Sequence, residues 1–107
     1  MPKESLRGLT EPMYYVLLSL RDALCGIEIM ARVKEISGGR VAVGPGTLYT
    51  MLAKFEENGL IRPVEGEGGG KRKSYRITET GKSILRAEYE LLARRVEDGK
   101  KIMEVPE

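Results

Sequence analysis

Residues 44–77 decide the fold: GPGTLYTMLAKFEENG at 44–59 runs directly into LIRPVEGEGGGKRKSYRI at 60–77. In the first half, Leu48, Met51, Leu52 and Phe55 recur at helical spacing behind Pro45, and Asn58-Gly59 closes the run. That pattern predicts a helix over 46–58. In the second half the period changes to that of strands around a glycine-rich reversal. One strand is expected over 60–65, a tip from Gly66 to Gly70, and a return over 72–77. Pro63 cannot donate to a ladder, which marks its strand as an edge.

Upstream, Thr10 stands two places before Pro12, the order of an N-cap and a first-turn proline. Met13, Val16, Leu17, Leu20 and Leu24 then predict a helix over 11–23, while Tyr14, Leu18 and Arg21 form a second face too apolar for free solvent. After a break at Leu24-Cys25-Gly26, the stripe Ile29, Met30, Val33, Ile36 predicts a helix over 26–37, ended by Ser37-Gly38-Gly39. Residues 40–43 are read as able to make one short extended pairing.

Downstream, Thr78 caps a last helix over 79–98 that can continue beyond Gly99. Leu85, Tyr89, Leu92, Val96 and Met103 lie on it at heptad intervals, the pattern of a helix–helix seam. A second stripe of Ile84, Ala87 and Leu91 is available to the domain body. A helix with two apolar stripes calls for two partners, here its own domain and a second copy of the chain. The alternative is that the second stripe folds back on the first helix.

The order helix, helix, helix, strand, strand, helix is that of a winged helix-turn-helix. The fold class is mainly α with a small β-hairpin, plus a C-terminal dimerisation helix. Residues 1–8 are read as a flexible arm, 9–78 as a DNA-binding domain, and 79–107 as the dimerisation helix and tail. In such domains the helix before the hairpin enters the major groove and the hairpin touches the backbone beside it. The outward face of that helix presents Thr50, Ala53 and Glu57, flanked by Thr47 and Lys54 on one edge and Tyr49 on the other. Gly44 and Gly46 leave amides open at its start, where an anion is favoured.

Charge supports this reading. The chain carries 18 basic and 16 acidic residues, net +2. Residues 60–76 alone hold Arg62, Lys71, Arg72, Lys73 and Arg76 against Glu65 and Glu67, net +3, so the remainder is −1. Positive charge is concentrated where a wing would meet phosphate, whose neutralisation supplies most non-specific affinity. The DNA-contacting set is therefore Gly46, Thr47, Tyr49, Thr50, Lys54, Lys71, Arg72 and Lys73, with double-stranded DNA as partner.

Composition excludes a good deal. With no His there is no imidazole base, Ser-His-Asp triad or His metal ligand, and a single Cys makes neither an internal disulfide nor a cysteine zinc site. No metal and no cofactor are expected, nor an enzyme. Cys25 reads as a small buried hydrophobe. The longest apolar run, Met13 to Leu20, is far short of the roughly 20 residues a membrane helix needs. It also lacks the flanks of a signal peptide, so a cytoplasmic location is expected. Residues 66–72 miss P-loop spacing, with Arg72 where Ser or Thr must stand, and residues 44–49 break a dinucleotide fingerprint at Tyr49.

Several strings resemble PadR-type transcriptional regulators: Leu9 to Leu18 (LTEPMYYVLL), Gly26 to Met30 (GIEIM), Gly44 to Tyr49 (GPGTLY), Glu57 to Ile61 (ENGLI) and Tyr75 to Gly81 (YRITETG). The resemblance runs from about Leu9 to Val96. It implies a prokaryotic winged-helix repressor of the branch with one short C-terminal helix, dimeric through that helix and bound to a near-palindromic operator. It also implies release by a small aromatic effector. Thr47 and Tyr49 fall in the family's recognition helix, and Lys71, Arg72 and Lys73 in its wing. Where the family often has His-Gly-Tyr this chain has Cys25-Gly26-Ile27, and it has no Trp of the kind some members use against flat drugs. Tyr14, Leu18, Leu85, Tyr89, Leu92 and Val96 are the expected dimer interface. Tyr14, Tyr15, Leu18, Tyr89 and Val96 are the candidate effector pocket, with plain dimer-core packing as the alternative. The rival function is a winged-helix protein–protein interaction module that touches no DNA. Carboxylate chemistry at Glu56-Glu57 or Glu65 and Glu67 lacks a convergent pocket.

Overall fold

The computed structural model describes residues 8–65, 73–104 and 106. Along them run α1 (Glu11–Ser19), β1 (Leu24–Cys25), α2 (Gly26–Ile36), α3 (Pro45–Glu57), β2 (Ile61–Val64), β3 (Ser74–Ile77) and α4 (Glu79–Met103). The expected arm at 1–8, apart from Gly8, and the glycine tip at 66–70 lie outside the described residues.

Local chemistry sets the helix starts. The Thr10 hydroxyl accepts from the Met13 N–H at 3.4 Å, with Pro12 in the first turn of α1. The Thr78 hydroxyl accepts from the Gly81 N–H at 3.0 Å and donates to the Gly59 carbonyl at 2.6 Å. One side chain thus caps α4 and fastens it to the residue that ends α3. At that residue, Gly59, φ is +76°, a left-handed conformation that glycine adopts without steric cost.

The sheet departs from expectation. Helix α1 stops at Ser19 rather than 23, because the Leu20 carbonyl accepts the Ile77 N–H at 2.9 Å and Leu24 has left the helix for a strand. What reads as a break at Leu24-Cys25 is β1, paired antiparallel with β3 (Leu24 opposite Tyr75, Cys25 opposite Ser74). The strand order β1-β3-β2 leaves Pro63 on an edge, as its missing N–H requires. Residues 40–43 make no strand. The buried Ser37 hydroxyl accepts from the Val41 N–H at 3.0 Å and bonds its carbonyl at 3.3 Å, so that backbone needs no sheet partner.

The core is one cluster. Val16, Leu17 and Leu20 meet Ile29 and Val33 of α2 and Leu48, Leu52 and Phe55 of α3, with Tyr75 and Ile77 closing the sheet side. Each such side chain contributes about 1.5–3 kcal/mol by leaving water. Cys25 is buried among them, while Met30 and Met51 lie at the rim and Ile36 is exposed. Helix α4 continues through Gly99 to Met103, with Glu97–Lys100 and Asp98–Lys101 ion pairs flanking the glycine. Ile84 and Leu85, not the expected stripe of Ile84, Ala87 and Leu91, pack on the core. Ala87 and Leu91 are exposed.

Candidate nucleic-acid interface

Helix α3 buries Leu48, Leu52 and Phe55, which turns Thr47, Tyr49, Thr50, Ala53, Lys54 and Glu57 to solvent. The first-turn amides of Gly46 and Thr47 have no intrahelical acceptor, leaving donors at the end of the helix dipole that favours anions. The Thr50 hydroxyl donates to the Gly46 carbonyl at 3.1 Å. Its proton is committed to the backbone, and what Thr50 offers a groove is a lone pair and a methyl. A cleft of about 580 Å³ borders this face on the α1 side, lined by Thr10, Met13, Thr47, Thr50 and Lys54 among others.

On the opposite edge, Tyr49 is half exposed, and its ring leans back over the first residue of α2. A second cleft, of about 360 Å³, lies there between Cys25, Gly26, Ile27, Tyr49, Lys73 and Tyr75. Lys73 stands just before β3 with its Nζ 5.4 Å from the centre of the Tyr75 ring. Lys71 and Arg72 lie outside the described residues. The register also sets Arg62 of β2 directly opposite Arg76 of β3, both exposed. Like charges so placed repel, and an anion docking there relieves the repulsion. Arg62 and Arg76 are the residues the sequence reading left out of the site. They count there only as charge, because a glycine-rich tip hides the register.

The residues expected at a dimer seam and effector pocket divide. Tyr14 is half-buried on α1, edge-on to Tyr15 with ring centres 5.7 Å apart. Burial first, then the neighbouring Tyr15, Tyr89 and Glu88, raise the Tyr14 phenol above its ordinary 10.0. Tyr15 turns toward the α2–α3 connection, where its hydroxyl accepts from Arg40 Nη2 at 2.8 Å. Leu18 is half-buried beside this face, and Leu85 packs against the core. Tyr89 and Val96 are more than half exposed and Leu92 partly so. Val96 lies about 10 Å further along the helix than Tyr89, so one protomer gathers Tyr14, Tyr15 and Tyr89 but not Val96 into one place. Among the described residues no group of three or more acidic or Cys side chains could hold a metal ion, and no helix is long and apolar enough to cross a membrane.

Three core helices, a basic-footed hairpin after the third and a long exposed helix define a winged helix-turn-helix regulator. The chain belongs to the PadR-like family of transcriptional regulators, whose family model matches residues 16–87. The family's proteins are regulators rather than enzymes. The chain is 38% identical over 80 residues to an uncharacterised 37.1 kDa protein in transposon TN4556 of Streptomyces fradiae, covering 74% of this chain and 22% of that one. It is 33% identical over 69 residues to the transcriptional activator GvpE2 of Halobacterium salinarum, covering 64% of this chain and 33% of the activator. The chain thus spans about a fifth and a third of these two proteins. Bacillus subtilis PadR, solved in complex with operator DNA, is similar at 29% identity with a TM-score of 0.61, over 70% of this chain and 44% of PadR.

Proposed function

We propose that this chain is a homodimeric repressor that binds a near-palindromic operator through α3 and the wing. The observation that carries the reading is the placement of Thr47, Tyr49, Thr50 and Lys54 on one exposed face, with Lys73, Arg62 and Arg76 on the hairpin beside it. Hydroxyls and a thymine-sized methyl surface suit base edges and phosphates, and the cations suit the flanking backbone. The operator complex of the Bacillus relative supports it. Exposed Tyr89, Leu91, Val96, Ile102 and Met103 on α4 favour a second copy as the dimer partner. A two-fold axis then sets the recognition helices about one DNA turn apart. Repression needs only occupancy of a promoter, whereas activation needs a further contact with the transcription machinery. A small aromatic effector would act through the Tyr14, Leu18 and Tyr89 region, with Tyr15 beside Tyr14 and Val96 joining across the dimer.

The test is fluorescence anisotropy on the DNA upstream of the gene and on a shuffled copy, near physiological salt and at about four times less. Binding roughly a thousandfold tighter to the native sequence is expected. Lys73→Ala should weaken both complexes and reduce the salt slope by about one. A promoter–reporter fusion falling in output when the protein is supplied fixes the sign, and a rise would make it an activator. No binding to either DNA at low salt would transfer the function to protein recognition.

A further inference from the structure

Gly26 lies where three elements meet. It follows β1 and opens α2, and the β1–β3 register (Leu24 opposite Tyr75, Cys25 opposite Ser74) carries it next to Lys73 at the foot of the wing. From the third side, the ring of Tyr49 on α3 closes over it. A Cβ on residue 26 would fall on the Tyr49 hydroxyl and only 2.8 Å from Cζ, closer than a side-chain carbon approaches such atoms. The bare backbone at 26 is therefore the seat of the phenol. Nothing about the backbone itself demands glycine there, since φ is not in the left-handed region. The obstructed group is also the far end of a half-exposed side chain, which can swing into solvent at little cost to packing.

We propose that Gly26 is a positioning residue for operator binding, acting through Tyr49. The absence of a side chain at 26 leaves room for the phenol to lie folded back between α2 and the wing foot, so that Tyr49 and Lys73 are presented to DNA together. This rests on the DNA-binding reading above and adds a specificity determinant that does not touch DNA. A methyl at 26 forces the ring outward, where its position no longer matches that of Lys73.

The experiment is a double-mutant cycle of G26A and Y49A, read by anisotropy on the operator, with circular dichroism melts on each variant. Expected are an unchanged melt for G26A, an operator affinity about tenfold lower, and no further loss when G26A is added to Y49A. Wild-type affinity in G26A, or an equal loss in the Y49A background, overturns the proposal. A DNA-independent readout separates it from the function itself. The Tyr49 ring resonances, assigned by their disappearance in Y49F, should move in G26A, and unmoved resonances overturn the proposal even if no operator is found. Should G26A fail to fold, G26A/Y49A deletes the obstructed ring and should fold. If it does not, the proposal falls.

Discussion

Gly81→Ala should be among the most damaging single-methyl changes in this chain. Gly81 sits in the first turn of α4, buried against the start of the wing. An added Cβ would fall on the Leu60 carbonyl oxygen and 2.7 Å from Ile77 Cγ1. That is about 0.8 Å short of ordinary carbon–carbon contact near 3.5 Å. Unlike the ring that faces Gly26, the obstacle is backbone. The Leu60 carbonyl accepts the Thr78 N–H at 2.9 Å, and moving it away breaks that bond. Overpacking costs about 1–3 kcal/mol, and a buried carbonyl left unpaired about 1–3 kcal/mol more. Alanine's better helix propensity returns at most about 1 kcal/mol. The net destabilisation is about 1–6 kcal/mol. Urea unfolding followed by circular dichroism, at one protein concentration because any self-association would add stability, should show the midpoint fall accordingly. A loss below about 0.5 kcal/mol would refute the reasoning, because no cheaper adjustment than displacing Leu60 is open to the methyl.

Other perturbations test other parts. Arg76→Gln should raise thermal stability slightly, by about 0.2–1 kcal/mol through relief of the pair with Arg62, while weakening operator binding; loss of both together would mean that the arginines support the fold. The Tyr14 phenol has its folded-state pKa above the ordinary value, so the unfolded chain ionises first on raising the pH. Stability contributed by Tyr14 is full below about pH 10 and is lost as pH climbs through the folded value. Tyr14→Phe should abolish that alkaline loss in melts taken between pH 8 and pH 11, and a parallel decline in both proteins would discard the assignment. Leu92→Glu with Val96→Glu should convert the dimer to monomer in sedimentation velocity and cost most of the operator affinity with the melt of the winged domain retained. A dimer surviving both charges would place the interface elsewhere.

The features legible in the sequence are those whose cause lies within a few residues. Thr10 and Thr78 announce helix starts because a cap is satisfied three residues on, and Pro63 announces an edge because its missing N–H is its own property. The α3 face was equally readable, since one rotation of 100° per residue separates Leu48, Leu52 and Phe55 from Thr47, Thr50 and Lys54. What could not be read depends on pairing across distance. A two-residue strand at Leu24-Cys25 has no periodicity, and only β3, fifty residues later, makes it a strand. Val41 looks like a strand residue yet has its backbone satisfied by Ser37. The approach of Gly26 to Tyr49 and of Gly81 to Leu60, like the register that sets Arg62 opposite Arg76, joins residues far apart in the chain. In a sequence, a glycine beneath a ring looks like a glycine in any loop.

That register also bears on how a signal could reach DNA. The Ile77 N–H is held by Leu20 at the end of α1, and the Thr78 N–H by Leu60 between α3 and the wing. The Thr78 side chain then binds Gly59 and caps α4. Adjacent residues thus tie α1, α3, the wing and the first turn of α4 to one another. A displacement at Tyr14 or Leu18 cannot be absorbed by sliding α1 past α3 without breaking buried hydrogen bonds, each costing about 1–3 kcal/mol. The body should therefore move as one piece. Beyond Leu92, by contrast, α4 is exposed except for partial cover at Gly99, whose glycine weakens the helix by about 1 kcal/mol. In the proposed dimer, compliance between the two DNA-reading bodies belongs in that exposed segment. An effector seated at Tyr14 and Tyr89, where α1 meets α4, would act by changing the distance between recognition helices and not the shape of either one.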